Sequence, residues 1–262
     1  SFPQNWAQVQ SALALLYVHR IRGQRADNLE KAIVHLQSAL KVLTREEFPR
    51  DWGMAQYNLG SAYHGYHEHR VGNRAENLDR AIRHFEAALT VMTREADPRR
   101  WAAAQMELGR AHSNRVGADP EAAIAAYEGA LTVFNREDFP LEWSVAQGFL
   151  GAAYLASTRG DRQAVLAKAI GHLEGAMSVQ RQSAPRDSLR WLRALGAALS
   201  EKGEWRRASA VYAEARETFL LLLAQGLDDT AAAALIEHAG PLFSEATYAA
   251  AQVGETEKAL TL

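Results

Sequence analysis

Residues 49–88, PRDWGMAQYNLGSAYHGYHEHRVGNRAENLDRAIRHFEAA, contain the pattern that decides the fold of this chain. After the proline, apolar and small residues recur three or four positions apart, at Trp52, Ala55, Leu59, Ala62 and Tyr63. Such spacing places them on one face of an α-helix, and a proline suits the first turn of that helix. Gly72 then interrupts the pattern before a second helical stretch begins. The segment therefore predicts a hairpin of two helices.

The same pattern recurs along the chain. A Leu-Gly or Leu-Ala step falls in each first helix, 42 to 49 residues from the next, at Leu13, Leu59, Leu108, Leu150 and Leu195. Prolines and turn glycines keep the same order, at Pro3, Pro49, Pro98, Pro140 and Pro185 and at Gly23, Gly72, Gly117, Gly160 and Gly203. A repeat of this kind buries its apolar face only by stacking on its neighbours. The sequence thus predicts an all-α solenoid over residues 1–262, with about five complete hairpins and part of a sixth.

The second helix of each repeat carries an alanine, a large apolar residue four positions on, and another alanine three further. The five sets are Ala32/Leu36/Ala39, Ala81/Phe85/Ala88, Ala123/Tyr127/Ala130, Ala169/Leu173/Ala176 and Ala208/Tyr212/Ala215. Small residues let two helices approach, and the large one fills the gap. With the Leu-Gly step, this series resembles the tetratricopeptide repeat (TPR), which implies one right-handed superhelical domain whose first helices line a concave face. A period of about 45 residues also fits HEAT or armadillo repeats, but the alanine spacing and the turn glycine favour the tetratricopeptide pattern.

Two insertions make these repeats longer than the roughly 34 residues of a standard tetratricopeptide repeat. One lengthens the turn of the first two hairpins. Candidates to cap the helix that follows it are Asp27 or Asn28 and Glu76 or Asn77. The other insertion joins successive hairpins, and we expect its aromatic residues Phe2, Phe48 and Phe139 to fill the seam between them rather than to form a ligand site.

The expanded repeats, with NRAENLDRAI at residues 73–82 and TREEFP at residues 44–49, resemble those of bacterial multidomain proteins that carry a C-terminal CHAT domain, a caspase-like protease fold. The tail at residues 246–262, ATYAAAQVGETEKALTL, resembles the last repeat of such proteins. The resemblance implies that the chain is a fragment of a longer protein, that it regulates the protease, and that the catalytic residues lie beyond Leu262. Similar repeats are also sensor arms of bacterial signalling ATPases, so the repeats do not identify the attached effector domain.

Composition excludes several classes of protein. With 48% apolar and 23% charged residues, the chain is typical of soluble globular proteins. A net charge of −2 provides no field to hold nucleic acid or an anionic membrane, and the absence of cysteine excludes thiol nucleophiles. Apolar runs such as residues 219–224 are far shorter than the roughly 20 residues of a membrane span. We predict a cytoplasmic protein-interaction scaffold whose partners are proteins or peptides, with no cofactor.

Binding residues are expected on the concave face, at positions projected by analogy with tetratricopeptide repeats. They are Gln8, Ser11, His19, Tyr57, Ser61, His64, Met106, Arg110, Asn114, Gly148, Ala152, Arg190 and Arg193. The three arginines are candidates to hold acidic groups of an extended or helical segment, while Gly148 and Ala152 leave room for one of its side chains. In the alternative interpretation the arginines are solvated or pair with Glu107 and Glu201.

One histidine-rich stretch, YHGYHEHR at residues 63–70, is a candidate for chemistry. His64 and Glu68 lie one helical turn apart and can share a metal ion, whereas His67 and His69 point elsewhere on the helix. A metal-dependent hydrolase built on residues 64–69 is therefore the alternative function, and a polar helix end is the favoured interpretation. The sequence lacks HExxH, a phosphate-binding glycine loop and GxSxG. We accordingly assign no catalytic residue and no metal site, and predict no enzymatic activity for this chain.

Overall fold

A computed structural model of the chain describes residues 2–20, 23–68, 72–115, 117–183, 185–224 and 229–254, without the side chains of 19, 66–68, 181–183, 185–187 and 229–240. In this part of the chain all regular structure is α-helical, which confirms the predicted all-α repeat solenoid. The helices are α1 (Phe2–His19), α2 (Arg25–Ala39), α3 (Pro49–Glu68), α4 (Arg74–Leu89), α5 (Pro98–Asn114), α6 (Pro120–Leu131), α7 (Pro140–Ala156), α8 (Arg162–Ser183), α9 (Pro185–Lys202), α10 (Trp205–Ala224) and α11 (Asp229–Gln252). None of these described helices combines the length and the apolar character that crossing a bilayer requires.

Successive helices pair as the predicted hairpins, α1 with α2, α3 with α4, α5 with α6, α7 with α8, and α9 with α10. The chain divides into two compact units: unit 1, Ser1–Val133, holds α1 to α6, and unit 2, Phe134–Leu262, holds α7 to α11. In unit 1, α2 packs on α3 and α4 on α5; in unit 2, α8 packs on α9 and α10 on α11. Within each unit the hairpins therefore stack. A single repeat domain over residues 1–262 stays a prediction.

Prolines and glycines delimit the hairpins as the sequence predicts. Four first helices begin at a proline, namely Pro49, Pro98, Pro140 and Pro185. The turn glycines have φ between 62° and 88°, at Gly23, Gly72, Gly117, Gly160 and Gly203. Side chains other than glycine rarely adopt this left-handed conformation, so the glycine is what allows the chain to reverse between the two helices.

The alanine–large–alanine sets form the centre of the hairpins. All fifteen of these side chains are buried, with at most 2% of their surface exposed. The glycine of the Leu-Gly step faces the large residue closely: a Cβ on Gly109 would lie 2.6 Å from the ring of Tyr127, and one on Gly196 would lie 2.6 Å from that of Tyr212. Glycine at this step therefore lets the first helix lie directly against a large side chain of the second.

The predicted caps of the lengthened hairpins are wrong. The candidates were Asp27, Asn28, Glu76 and Asn77. All four lie inside their helices, because α2 begins at Arg25 and α4 at Arg74. The cap of α4 is Asn73, whose side chain accepts hydrogen bonds from two backbone N–H groups of the first turn at 3.1 and 3.3 Å. Asn28 is buried and donates to the carbonyl oxygen of Arg20 at 3.4 Å, which ties the turn to the end of α1.

The aromatic residues before the first helices behave differently from one another. Phe48 is half-buried and packs on a cluster formed by Ala7, Ala39 and Leu43, which confirms its expected place in a seam. Phe139 is also half-buried and meets the ring of Phe134 edge-on, with the ring centroids 5.6 Å apart. Phe2 is 86% exposed, so the expectation that it fills a seam is wrong. In the described part of the chain no helix precedes α1 for Phe2 to pack against.

Candidate ligand-binding faces of the two units

The first helices of the hairpins lie side by side within each unit. In unit 1, α3 contacts both α1 and α5; in unit 2, α9 contacts both α7 and α11. We call the surface of α1, α3 and α5 the first-helix face of unit 1, and that of α7, α9 and α11 the first-helix face of unit 2. All the site residues projected from the sequence belong to these six helices.

Six polar side chains connect α3 to α5 on the face of unit 1. This α3–α5 cluster consists of Tyr57, Ser61, His64, Glu107, Arg110 and Asn114. One terminal nitrogen of Arg110 donates to both carboxylate oxygens of Glu107, at 2.9 and 3.1 Å. The amide of Asn114 donates to Nε2 of His64 at 3.2 Å, which leaves the ring proton on Nδ1, 3.7 Å from the Glu107 carboxylate. Five of the six residues were projected as site residues, and packing of α3 on α5 brings them together.

Tyr57 is the member of the cluster with the most perturbed ionisation. Burial raises the pKa of Tyr57 to about 12, and the negative charge of Glu107 adds to the shift. The hydrogen bond with Ser61 and the positive charge of Arg110 act in the opposite direction on this pKa. The Tyr57 ring also contacts the Phe85 ring, with centroids 5.8 Å apart, so the core of the hairpin orients it. Tyr57 is thus a fixed, neutral phenol at physiological pH, able both to donate and to accept a hydrogen bond.

His64 is the one histidine of the stretch at residues 63–70 whose side chain is among those described. Its side chain is only 3% exposed and is oriented by Asn114 and Glu107 from the next hairpin. The side chains of His67 and Glu68, and all of His69, lie outside the described residues. Among the side chains that are described, no three histidine, aspartate or glutamate residues are grouped closely enough to hold a metal ion. In this structure His64 links α3 to α5.

The other projected residues of unit 1 offer fewer polar groups to a ligand. Gln8 donates from Nε2 to the carboxylate of Asp51 at 3.0 Å, which links α1 to α3. The hydroxyl of Ser11 donates to a backbone carbonyl of its own helix at 3.1 Å. Met106 is buried, and the side chain of His19 lies outside the described residues. The α3–α5 cluster therefore carries most of the polar chemistry of this face.

On the face of unit 2 an ion pair bridges α9 and α11. Nε and Nη2 of Arg193 each lie 3.3 Å from an oxygen of Glu245. Tyr212 of α10 interacts with the same pair; burial raises its pKa to about 12, and the negative charge of Glu245 adds to that shift. Both faces thus hold an arginine–glutamate pair beside a tyrosine whose pKa is about 12.

In the alternative interpretation the arginines pair with Glu107 and Glu201. That interpretation is right for Arg110 and wrong for Arg193. Arg110 pairs with Glu107, as that interpretation states. Glu201 is not a partner of Arg193, because Glu201 accepts two hydrogen bonds from Arg162 of α8, at 2.6 and 2.8 Å. Arg193 reaches across to α11 instead.

The expected opening at Gly148 is not there. A Cβ on Gly148 would lie 2.4 Å from the indole of Trp191, so the missing side chain makes room for Trp191 and not for a ligand. Ala152 packs on the same apolar cluster as Trp191. The guanidinium of exposed Arg190 lies over the rings of Trp191 and Phe149, 5.5 and 5.8 Å from their centroids. Arg190 is therefore held by cation–π contacts at the surface of this cluster.

Three hairpins share a stack of side chains that sequence reasoning missed. In each, a histidine of the second helix stacks on a tyrosine of the first with centroids 5.5 Å apart, and hydrogen-bonds a glutamine at 2.5 or 2.6 Å. A lysine or arginine lies 5.3 to 5.7 Å from the same tyrosine ring. The sets are Gln10/Tyr17/Lys31/His35, Gln56/Tyr63/Arg80/His84 and Gln147/Tyr154/Lys168/His172. The recurring spacing Gln-x6-Tyr, followed by Lys or Arg-x3-His, is the signal that would have revealed them.

The stack of the second hairpin shows what these contacts do. Burial, together with the positive charges of Arg83 and Arg80, lowers the pKa of His84 to about 4. The imidazole is consequently neutral at physiological pH, which suits a ring packed between tyrosine and glutamine. The stack ties the first helix to the second within a hairpin and is part of the framework.

Comparison with known proteins identifies the fold. No family model and no curated protein matches this chain. A putative kinesin light chain of Podosopora anserina with nearly identical TPR-like repeats superposes with a TM-score of 0.60 at 17% identity, over 86% of this chain and 99% of that one. PilW, a widely conserved type IV pilus biogenesis factor, gives 0.61 at 16% identity, over 97% and 89% of the two chains. BtubC (BKLC) from P. vanneervenii gives 0.51 at 15% identity, over 87% and 95%. These structures show that the chain has a TPR-like fold.

Proposed function

We propose that this chain is a non-enzymatic protein-interaction scaffold, which binds a peptide or protein segment on its first-helix faces. The α3–α5 cluster is the observation that supports this most directly. It gathers a phenol, an amide and a charged pair from two helices, and internal hydrogen bonds already orient them. Surfaces made by stacked helical repeats are suited to extended ligands, because successive helices present their side chains at regular intervals.

The paired state of the arginines narrows the chemistry of the proposed ligand. Arg110 already contacts Glu107, and Arg193 contacts Glu245. A ligand carboxylate therefore has to compete with a carboxylate of the chain at both positions, which weakens the net attraction for a strongly acidic segment. Polar groups that hydrogen-bond Tyr57 and Asn114 meet no such competition from charge. We expect a segment of mixed polarity with isolated acidic residues.

The test uses a peptide selected from a library of random sequences against the wild-type chain. The double variant Arg110→Glu with Arg193→Glu reverses one charge on each face, and we expect it to weaken peptide binding by at least about tenfold, or 1.4 kcal/mol. Titration with the fluorescently labelled peptide measures the affinity, and circular dichroism verifies that the variant is folded.

A matched control reverses two exposed arginines on second helices, Arg83→Glu on α4 with Arg206→Glu on α10. It changes the net charge equally and is expected to leave the affinity nearly unchanged. Unaltered binding by the first-helix variant, or an equal loss in both variants, would show that the first-helix faces are not the binding surface.

We further propose that ligand binding regulates a CHAT-type, caspase-like protease, as an attached C-terminal domain or as a partner, in the bacterial cytoplasm. The resemblance of residues 44–49 and 73–82 to the repeats of such proteins supports this. Regulation requires that the ligand bind more tightly to the chain in one state of the protease, active or inactive, than in the other.

The reading frame beyond Leu262 in the source gene tests whether the protease is an attached C-terminal domain. A caspase-like domain with a histidine and cysteine pair supports it, and a nucleotide-binding domain would favour the ATPase sensor arm instead. A stop codon just after Leu262 would contradict attachment and leave a free-standing adaptor.

A further inference from the structure

Three of the loops that join successive hairpins share one backbone turn but differ in one side chain. Phe48, Asp97 and Phe139 immediately precede the prolines that begin α3, α5 and α7. The backbone N–H of each donates to the carbonyl oxygen four residues earlier at 3.0 or 3.1 Å, and its own carbonyl oxygen accepts from a tryptophan four residues later. The three positions are therefore structurally equivalent, and one of them carries aspartate where the other two carry phenylalanine.

The two phenylalanines fill apolar space beside their loops. Phe48 packs on the cluster that includes Leu43, and Phe139 meets Phe134 edge-on. Leu43 and Phe134 each stand five positions before their phenylalanine. In the loop between α4 and α5, Met92 stands five positions before the aspartate. This loop keeps the apolar neighbour but lacks the aromatic ring that packs on it in the other two loops.

Beside Asp97 the structure has a cleft of about 310 Å³, between the start of α3 and the loop that leads into α5. Met54, Val91 and Met92 contribute to its apolar lining. A Cβ on Gly53 would lie 2.6 Å from Cγ2 of Val91, so the loop packs directly against α3 and its side chains are held in place without a ligand. Pockets that hold small ligands begin at roughly 300 Å³. The cleft is thus a preformed apolar site where the equivalent loops hold a ring.

Two arginines border the cleft, Arg50 and Arg100. Arg100 is already engaged, because its backbone N–H and one terminal nitrogen donate to the two carboxylate oxygens of Asp97, at 3.1 and 2.9 Å. Arg50 is exposed, and within the described part of the chain no carboxylate pairs with it. A carboxylate that arrives beside the cleft can therefore pair with Arg50 without displacing one of the chain's own.

We infer that this cleft binds an aromatic side chain, of the size of phenylalanine, that a partner protein presents next to an acidic residue. The ring takes the place that Phe48 and Phe139 take in their own loops. It packs on Met54 and Met92, whose thioethers favour contacts with aromatic rings. The acidic neighbour pairs with Arg50. The inference rests on the proposed scaffold function and adds an anchor to it: the cleft lies at the start of α3 and α5, and the α3–α5 cluster lies in later turns of the same two helices.

Methyl NMR of the methionines locates the bound ring. The chain has four methionines: Met54 and Met92 line the cleft, Met106 precedes Glu107 of the α3–α5 cluster, and Met177 is buried in unit 2. The probe is the dipeptide acetyl-Glu-Phe-amide at millimolar concentration. It is expected to shift the methyl signals of Met54 and Met92 saturably, because an aromatic ring changes the shifts of nuclei within a few ångströms, and to leave the other two unchanged.

The matched control ligand, acetyl-Glu-Ala-amide, is expected to shift none of the four signals. No shift of Met54 and Met92, or the same shift with the alanine dipeptide, would overturn the inference. A shift of Met106 alone would overturn it as well, and would support binding at the α3–α5 cluster. Shifts of Met54 and Met92, in a chain whose peptide binding survives Arg110→Glu with Arg193→Glu, would support the cleft and contradict the first-helix faces.

Asp97→Phe fills the cleft with a ring of the chain itself. Phe139 begins α7 without a side-chain cap, so phenylalanine at this position is compatible with the fold, which circular dichroism verifies. Asp97→Phe is expected to weaken binding of acetyl-Glu-Phe-amide by at least about tenfold. The matched control Asp97→Asn keeps the cleft open and retains a good capping residue, so it is expected to bind as the wild type does. Binding that persists in Asp97→Phe, or an equal loss in Asp97→Asn, would overturn the inference.

Arg50→Glu tests the acidic neighbour. The wild-type chain is expected to bind acetyl-Glu-Phe-amide about threefold more tightly than acetyl-Gln-Phe-amide, as is typical of an exposed ion pair. Arg50→Glu is expected to abolish this preference. Arg83→Glu, an exposed charge reversal on α4 outside the cleft, is expected to retain it. Equal affinity of the wild type for the two dipeptides, or a preference that survives Arg50→Glu, would contradict the acidic part of the inference.

Discussion

Units 1 and 2 assemble the same group of side chains in two different ways. In unit 1, Arg110 and Glu107 lie one turn apart on α5, so the pair needs only that helix. In unit 2, Arg193 and Glu245 are 52 residues apart and the pair needs α11 to dock on α9. An ion pair made within one helix keeps its geometry when neighbouring helices move, whereas an ion pair made between two helices depends on how those helices pack.

The two tyrosines differ in a similar way. Tyr212 is the large residue of an alanine–large–alanine set, 2% exposed and closely packed on Gly196. Tyr57 belongs to the first-helix face of unit 1, and part of its surface is exposed. Tyr212 therefore serves the hairpin core and the ion pair together, while Tyr57 serves mainly the face.

The largest effect is expected from removing the two rings. Tyr212→Ala leaves a cavity at the centre of its hairpin and is expected to lower the free energy of unfolding by about 3–5 kcal/mol. Tyr57→Ala is expected to cost less than half as much, because its ring is not enclosed on all sides. Urea unfolding at neutral pH measures both, with Tyr212→Phe as the control that keeps the ring. Equal losses for the two alanine variants would contradict the distinction between core and face.

A smaller effect is expected on the stability of the fold at alkaline pH. Both tyrosines have a pKa of about 12 in the folded chain, against 10.0 for an unperturbed tyrosine. The unfolded chain therefore loses these protons first, so their contribution to stability is complete below about pH 10 and is lost as the pH rises towards 12. Tyr57→Phe and Tyr212→Phe are expected to show a smaller decline in stability between neutral pH and about pH 11.

The exposed Tyr248 provides the control for this measurement, which compares urea midpoints across the pH series. Tyr248→Phe is expected to decline with pH as the wild type does. A decline that is the same in all three phenylalanine variants would show that neither Tyr57 nor Tyr212 controls alkaline stability.

The smallest effect distinguishes the two ion pairs directly. Glu245→Gln removes the charge that ties α11 to α9, and because the pair is partly exposed we expect a cost of about 1 kcal/mol or less. Hydrogen exchange measured by mass spectrometry is expected to rise in α11, by up to about fivefold. Glu107→Gln is the counterpart in unit 1 and is expected to leave exchange unchanged in α11. A rise in α11 caused by Glu107→Gln, or none caused by Glu245→Gln, would contradict the proposed roles.

Much of the α3–α5 cluster could be predicted from the sequence, because its residues recur at fixed distances from the Leu-Gly step. Tyr57, Arg110 and Asn114 were projected in that way, and their helices place them on one face. Two features could not be obtained from repeat positions. The burial of His64 depends on contacts with the next hairpin, and Glu245 lies in a helix whose match to the pattern is partial. Gly148 misled for the same reason, since only packing shows that Trp191 fills the space beside it.

By itself the sequence determined the hairpins: where helices begin, where glycine reverses the chain, and which alanines form the centre. These features follow from dihedral preferences and from the period of the helix, which act over a few residues. Only the tertiary structure decided which charges pair, as in Arg193 with Glu245, and which side chain fills the space beside a glycine, as Trp191 does beside Gly148. Such outcomes depend on side chains far apart in sequence, and their competition is resolved only when helices pack.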